Sequence, residues 1–167
     1  TNGSIIRHNI VDGVTGTLAG WSKWNIPYGE GIYLDTSAGG VTVDHNTVAN
    51  CTANGIYLHD SYNETVTNNT VFNTKSGLLI NGDLGGTSIS KNLIYALARD
   101  IGDSQTARLV SRSGGPITIN GNTYVAHYKS ADIFRLDVTN YSFAGWKSQT
   151  GQDATSSCDL SALGAGE

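Results

Sequence analysis

The sequence predicts an all-β protein, a parallel β-helix of about five coils closed by a short C-terminal helix. Three observations predict this fold: a short segment containing asparagine recurs along the chain, apolar residues alternate within each copy, and glycine is abundant. Glycine makes up 21 of the 167 residues, nearly twice the usual rate of about 7 %. Because glycine and asparagine favour turns and threonine favours strands, this composition is typical of a chain of many short strands.

Five segments of the chain share one pattern around a common asparagine. They read SIIRHNIV at 4–11, VTVDHNTV at 41–48, TVTNNTVF at 65–72, SISKNLIY at 88–95 and ITINGNTY at 117–124. The shared asparagines, spaced by 37, 23, 23 and 30 residues, are Asn9, Asn46, Asn69, Asn92 and Asn122. A second segment, GIYL at 31–34 and 55–58 and GLLI at 77–80, precedes three of them. Each unit therefore contains two short strands.

Apolar residues alternate with other residues inside each unit, as at Ile32 and Leu34 and again at Val41 and Val43. This period of two is that of a strand with one buried face. A unit of about 23 residues cannot bury its apolar side chains alone, whereas coils stacked about 4.8 Å apart bury a continuous core. A leucine-rich repeat of similar length is excluded, because neither its leucine frame nor a helix per unit is present.

Stacking the units on their asparagines predicts two core columns and a ladder of inward-turned asparagine side chains that hydrogen-bond successive corners. The first column contains Ile6, Val43, Val66, Ile89 and Ile119, and the second contains Val11, Val48, Val71, Ile94 and Tyr124. The two longer asparagine intervals predict excursions near 14–29 and 96–106, the second of which should cover the core.

The end of the chain predicts a cap. After a last strand at 133–138, Ser142 can begin a short helix that Gly151 closes, with Phe143 and Trp146 on one face. Coils should thus occupy 1–138 and the cap and tail 139–167 of a single β-helix domain. No such cap precedes the first strand, and the chain contains no methionine. We therefore expect the C-terminal part of a longer protein, whose N-terminal coil edge is covered by more of the parent protein or by another chain.

Composition excludes two classes of partner. The net charge is −4 and only 14 % of residues are charged, so the basic stripe of a nucleic-acid-binding protein is absent. Apolar runs of four or five residues are too short for a membrane span of about 20 residues. Cys51 and Cys158 would permit one disulfide in an exported protein, and two free buried thiols are equally ordinary.

The asparagine and G-I-x-L units over residues 3–125 resemble those of secreted, right-handed parallel β-helix proteins of the pectate-lyase-like family. The segment FAGWKSQTGQDATS at 143–156 is similar to a closing segment of carbohydrate-active members. The resemblance implies a secreted or extracellular protein with a polysaccharide as its partner. Right-handedness follows from the resemblance and from the general rule for parallel crossovers. The motifs specify the fold strongly and the reaction hardly at all.

Outward-facing positions between the core residues supply the candidate site. Stacked units place Tyr33, Tyr57 and Leu79 in one row and Asp35, His59 and Asn81 in the next. In a polysaccharide lyase, a Ca²⁺ ion held by Asp35, Asp60 and Asp83 would bind the uronate carboxylate, and His59 would be the base. Lyases of this fold commonly use a basic residue beside the calcium, and Arg108 or Arg112 would fill that place only if the fourth unit keeps register. In a glycosidase, Glu30 and Asp35 are the best-placed carboxyl pair. These acids can equally be turn caps.

Aromatic residues near this face suit sugar rings. Trp21, Trp24 and Tyr28 lie in the first excursion and, with Tyr33 and Tyr57, would stack on a polysaccharide; the loop aromatics can equally pack on one another. In a separate column, His8 and His45 would form a two-histidine transition-metal site without a third ligand. Three functions stay open: a polysaccharide lyase or glycoside hydrolase, a glycan-binding module, and a structural or adhesive solenoid segment without activity.

Overall fold

The computed structural model describes residues 3–17, 27–96, 105–110, 115–126 and 133–159, and these form a parallel β-helix. In chain order its elements are β1 (Ile5–Arg7), β2 (Ile10–Asp12), β3 (Ile32–Leu34), β4 (Thr42–Asp44), β5 (Thr47–Ala49), β6 (Asn54–His59), β7 (Thr65–Thr67), β8 (Thr70–Phe72), β9 (Ser76–Asn81), β10 (Ser88–Ser90), β11 (Leu93–Ala96), β12 (Gln105–Val110), β13 (Thr118–Asn120), β14 (Thr123–Ala126), β15 (Phe134–Leu136), β16 (Thr139–Tyr141), α1 (Phe143–Thr150) and β17 (Ser157–Asp159). No helix among the described residues is long and apolar enough to cross a membrane.

The strands form three sheets, and each coil contributes one strand to each sheet in turn. The first sheet has the order β1-β4-β7-β10-β13, the second β2-β5-β8-β11-β14-β17 and the third β3-β6-β9-β12-β15-β16. All neighbouring strands are parallel except β15 and β16, which are antiparallel. The five strands of the first sheet correspond to the five predicted coils.

Strand register confirms both predicted core columns. In the first sheet it aligns Ile6, Val43, Val66, Ile89 and Ile119. In the second it aligns Val11, Val48, Val71, Ile94 and Tyr124. All of these side chains except the first of each column are at most 2 % exposed. The third sheet completes the core with Ile32, Ile56 and Leu78 and, two residues on, Leu34, Leu58 and Ile80.

A single left-handed residue turns the chain from the first sheet into the second in every coil. The residues at this position are His8, His45, Asn68 and Lys91, with φ between 52° and 56°, and Gly121 at 69°. The corner asparagine follows directly and points inward. In the later four coils it is at most 2 % exposed, as the sequence predicts.

The buried asparagines form a continuous ladder. The backbone N–H of Asn46 and its Nδ2 both donate to Oδ1 of Asn69 at 2.9 Å, and Asn69 repeats both bonds to Asn92. Each Nδ2 also donates to a carbonyl of the preceding coil, that of Val43 for Asn69. The polar groups of these buried amides are thus paired, which makes their burial tolerable.

The glycine of the G-I-x-L segments is required by the close approach of the second and third sheets. A Cβ atom at Gly55 would lie 2.2 Å from Cγ1 of Val71 and 2.8 Å from the carbonyl oxygen of Gly77. A Cβ atom at Gly31 would lie 2.3 Å from Cγ1 of Val48. A larger residue would push the sheets apart.

The predicted helix forms at the C-terminal end. It begins after Ser142, whose Oγ accepts the N–H of Gly145 at 3.1 Å, and it ends at Gly151 with φ 67°. Trp146 is fully buried, 5.5 Å from the ring of Phe134. The strand expected at 133–138 is shorter and is followed by β16, a hairpin partner that the sequence analysis does not predict.

Asp153 joins the helix to the last coil. Its buried carboxylate accepts hydrogen bonds from Trp146 Nε1 at 2.8 Å, from Tyr124 Oη at 3.1 Å and from the hydroxyl of Ser156. Ser156 in turn accepts the N–H of Asn122 at 2.8 Å and so ends the asparagine ladder. The T-G-x-D-x-x-S segment is therefore the C-terminal closure of the solenoid.

Both predicted excursions fall largely outside the described residues, which omit 18–26 and 97–104. At the second excursion, β12 already begins at Gln105 and keeps register with β9, pairing Arg108 with Leu79. The last two residues of the predicted excursion, Gln105 and Thr106, therefore already belong to the regular coil. Cys51 and Cys158 are both free thiols, so the structure contains no bond between them.

Glu64 is a buried carboxyl group at the corner before β7. Its Oε2 accepts the N–H of Val41 at 2.8 Å, and no group among the described residues hydrogen-bonds its Oε1. Burial raises the pKa of Glu64, and the bond from Val41 opposes this only in part. The folded state consequently holds a proton on Glu64 more tightly than the unfolded chain does.

This raised pKa makes stability depend on pH. We expect the free energy of unfolding to fall as the pH rises from the ordinary glutamate pKa of about 4.3 through the raised pKa of Glu64. Glu64→Gln stays neutral and keeps an acceptor for Val41, so it should remove this part of the pH dependence. Urea unfolding of both proteins at a series of pH values measures it. Equal pH slopes for the two proteins would show that Glu64 is not the group responsible.

Candidate functional site

A groove of about 490 Å³ runs along the outer face of the third sheet. Its walls come from the starts and outer faces of β3, β6 and β9, together with Tyr28 from the first excursion. Tyr28, Glu30, Tyr33, Tyr57 and His59, five of the predicted site residues, line it. The parallel stacking of identical strand positions brings these residues together.

Tyr33 and Tyr57 form the aromatic wall of the groove. Their register is direct, and the rings are stacked with centroids 4.7 Å apart at an angle of 11°. Each ring therefore uses one face on the other, and Tyr57 is followed in register by Leu79. Tyr33 is 43 % exposed, so part of its ring surface is open to a ligand.

His59 connects this wall to two carboxylates. Its Nδ1 lies 2.8 Å from Oδ1 of Asp35 and 3.3 Å from Oη of Tyr33, and its Nε2 lies 3.5 Å from Oδ2 of Asp60. The predicted proximity of Asp35 and His59 is thus confirmed. Hydrogen bonds from His59 and from the N–H of Thr36 hold the pKa of Asp35 well below its usual range, so this exposed carboxyl group stays ionised.

Glu30 and Asn54 form the inner wall. Oε2 of Glu30 accepts both the backbone N–H and the Nδ2 of Asn54, at 3.0 and 2.8 Å. Burial raises the pKa of Glu30, and the bonds from Asn54 oppose this in part. No group among the described residues hydrogen-bonds the other oxygen of Glu30, so this side presents a carboxyl group whose direction is already fixed by Asn54.

Two of the aspartates proposed as calcium ligands accept hydrogen bonds from different neighbouring groups. Oδ1 of Asp60 accepts the N–H of Asp83 at 2.9 Å, and Oδ1 of Asp35 accepts the N–H and hydroxyl of Thr36. Across the described ranges, no three His, Cys, Asp or Glu side chains are grouped so as to hold a metal ion. The structure therefore does not bring Asp35, Asp60 and Asp83 together as one ligand set.

Four residues that line the groove, Ala53, Asn54, Lys75 and Ser76, were not singled out from the sequence. Asn54 and Ser76 occupy the position before the glycine of their G-I-x-L segments, where the first unit has Glu30. Aligning this position across the units would have found both. Lys75 lies just before Ser76, at a position where the units share no residue type. Asn81, which the row with His59 does include, donates from Nδ2 to Tyr57 Oη at 3.2 Å.

Several predicted residues cannot be placed in this groove. Trp21, Trp24 and Arg112 lie outside the described residues. Arg108 is described by its backbone, which continues the row of Tyr33, Tyr57 and Leu79 into the fourth coil. The role of the tryptophans in sugar binding thus stays a prediction.

The two histidines lie at the corner between the first and second sheets and do not line the groove. The rings of His8 and His45 have centroids 5.3 Å apart and are tilted by 33°. Nδ1 of His45 lies 2.7 Å from Oδ1 of Asp44, which also accepts from Asn68. The hydrogen bond from His45 and that from Asn68 lower the pKa of Asp44.

Comparison with known proteins assigns the chain to a family. No curated protein and no solved structure gives a match. The model of one family, described as periplasmic copper-binding protein (NosD), matches residues 3–150. The match includes all five corner asparagines, the three strands that line the groove and the whole of α1. Because it covers most of the chain, this protein belongs to the NosD family of β-helix proteins.

Proposed function

We propose that this protein is an exported solenoid that binds a polysaccharide in the groove of the third sheet. The observation that carries the proposal is a single groove lined both by the stacked rings of Tyr33 and Tyr57 and by the hydrogen-bonded carboxyl and amide groups of Glu30 and Asn54. Export is supported by the periplasmic location in the description of the family.

The groove has the chemistry that sugar recognition needs. The CH face of a sugar ring fits the exposed part of the Tyr33 ring, while its hydroxyl groups would hydrogen-bond Glu30, Asn54 and Asn81. Asn54 and Asn81 are held by Glu30 and Tyr57, so little side-chain entropy would be lost on binding. A volume of about 490 Å³ lies within the range of small-ligand sites, roughly 300–1,000 Å³.

Binding is favoured over lyase activity. A catalytic base needs a nitrogen lone pair directed at the substrate, whereas both ring nitrogens of His59 face carboxylates, Asp35 and Asp60. The carboxylate cluster that would hold calcium is also not formed among the described residues.

Glycoside hydrolysis is a second candidate, supported by one observation. Burial raises the pKa of Glu30, and hydrogen bonds lower that of Asp35. A glycosidase needs one carboxyl group that stays protonated as the acid and one that stays ionised, and these shifts have the corresponding directions. Against it, Asp35 does not line the groove and its Oδ1 is occupied by His59 and Thr36.

Copper binding, which the family description names, can be tested against the residues present. Copper sites use imidazole, thiolate and thioether ligands, and this chain contains no methionine. His8 and His45 supply two stacked imidazoles, Cys51 is buried in the core, and no group of three ligands exists in the described part of the chain. These residues do not fit a copper centre with three protein ligands, so copper forms no part of the proposal.

Tyr33→Ala tests the groove directly. We expect it to weaken retention on polysaccharide affinity gels by about 1 to 3 kcal/mol, the cost of losing an aromatic contact at a binding hot spot. Tyr62→Ala is a matched control, because Tyr62 is 47 % exposed and lies outside the groove. Binding should be measured on a panel of neutral and uronate polysaccharides, with melting temperatures for both variants. Equal retention for the wild type and Tyr33→Ala would overturn the groove as the site.

The same panel separates the candidate activities. Unsaturated product absorbing in the ultraviolet would show a lyase, and new reducing ends would show a hydrolase in which Glu30→Gln should be inactive. Retention without turnover supports the binding module. Neither retention nor turnover on any polysaccharide would leave the structural solenoid as the function.

A further inference from the structure

The N-terminal face of the solenoid leaves partly exposed two core positions that are buried in the later coils that the structure describes. In the core columns, Ile6 and Val11 are only half-buried, whereas their register partners Val43 and Val48 are fully buried. The apolar core therefore reaches the surface at this end.

Asn9 lacks the partners that its equivalents have. Oδ1 of Asn46 accepts the backbone N–H of Asn9 at 3.1 Å and its Nδ2 at 2.9 Å, and the same pair of bonds recurs at Asn69, Asn92 and Asn122. Among the described residues, no group donates to Oδ1 of Asn9. Its Nδ2 bonds a carbonyl of its own coil, that of Arg7, and none of a coil before it. The ladder thus ends in an unused acceptor.

A second copy of this chain does not fit that face. The opposite end of the solenoid is closed, because Ser156 already accepts the N–H of Asn122 and α1 packs over the core through Trp146. Two N-terminal faces brought together would run antiparallel and would oppose the free acceptors of two Asn9 side chains. The face instead matches a parallel coil whose own asparagine offers an N–H and an amide.

We infer that the N-terminal face receives a further coil of the same parallel repeat, with asparagine at its first corner, supplied by polypeptide on the N-terminal side of β1. Its backbone N–H and Nδ2 would donate to Oδ1 of Asn9, and its apolar residues would cover Ile6 and Val11. The edges of β1 and β2 would then be paired as those of the inner strands are.

The chain supplies its own test coil. A copy of residues 42–64 joined in front of Ile5 places the copied Asn46 at 23 residues before Asn9, the interval between Asn46 and Asn69. Hydrogen exchange should show the amides of β1 and β2 protected about tenfold or more relative to the 167-residue chain, and the melting temperature should rise. Unchanged exchange in β1 and β2 would overturn the inference.

Two controls sharpen the result. The same graft with leucine in place of the copied asparagine keeps the apolar contacts and loses the side-chain donor, so it should protect β1 and β2 less. Equal protection by both grafts would show that the side chain of the copied asparagine does not contribute to the binding of the added coil. Light scattering and hydrogen exchange on the 167-residue chain test whether a second copy of the chain covers the N-terminal face instead. A dimer that protects β1 and β2 would make a second copy the partner and would overturn the proposed coil.

Discussion

Replacing Asp153 with alanine is expected to lower the free energy of unfolding by about 3 to 5 kcal/mol, because it removes the shared acceptor of several buried hydrogen-bond donors. The fully buried carboxylate is the acceptor for Trp146 Nε1, Tyr124 Oη and the hydroxyl of Ser156. Without it, these donors would be left in an apolar site, each at a cost of about 1 to 3 kcal/mol before relaxation. The effect should appear as a lower urea midpoint followed by circular dichroism.

Asp153→Asn is the matched control, because it keeps the shape and one acceptor oxygen. It should be less destabilising than Asp153→Ala. An Asp153→Ala midpoint close to that of the wild type would show that the cap contributes little to stability.

Val66→Asp is expected to unfold the domain. Val66 is fully buried in the first column between Val43 and Ile89, with no cation beside it in the column. An unpaired carboxylate there costs several kcal/mol, a large part of the 5 to 15 kcal/mol that typically stabilises a domain. Circular dichroism and limited proteolysis would detect the loss of the fold.

The neighbouring Thr65 provides the control for Val66. It lies on the same strand, faces outward and is exposed. Thr65→Asp should therefore leave the melting temperature within a few degrees of the wild type. A folded, protease-resistant Val66→Asp protein would contradict the assignment of Val66 to the core.

The fold could be predicted in detail because two periodic signals agree. The alternation of apolar residues decides which face is buried, and the spacing of the asparagines decides which residues are stacked, so a slip by one residue would expose a whole column. The helix was predictable from Ser142 and Gly151, whose capping roles are local. The hairpin partner β16 and the contacts of Asp153 were not, because they depend on which distant groups the last coil brings within reach.

The candidate site was only partly predictable. Repeat alignment predicts the rows that contain Tyr33 and His59, because strand register decides which outward-facing residues of neighbouring coils are stacked. It does not predict that both nitrogens of His59 face carboxylates, because that depends on side-chain rotation rather than on strand position. Lys75 has no counterpart in the repeat, so no pattern in the sequence could assign it to the groove.

The hydrogen-bond geometry of the asparagine ladder does not depend on how many residues lie between successive corners. The bonds from Asn9 to Asn46 span 37 residues and measure 3.1 and 2.9 Å, while those from Asn46 to Asn69 span 23 residues and measure 2.9 Å each. Fourteen additional residues thus leave the stacking of the coils unchanged. Loops of new length and composition can therefore be acquired between corners without disturbing neighbouring coils, so the frame can stay constant while the surface that faces a ligand diversifies.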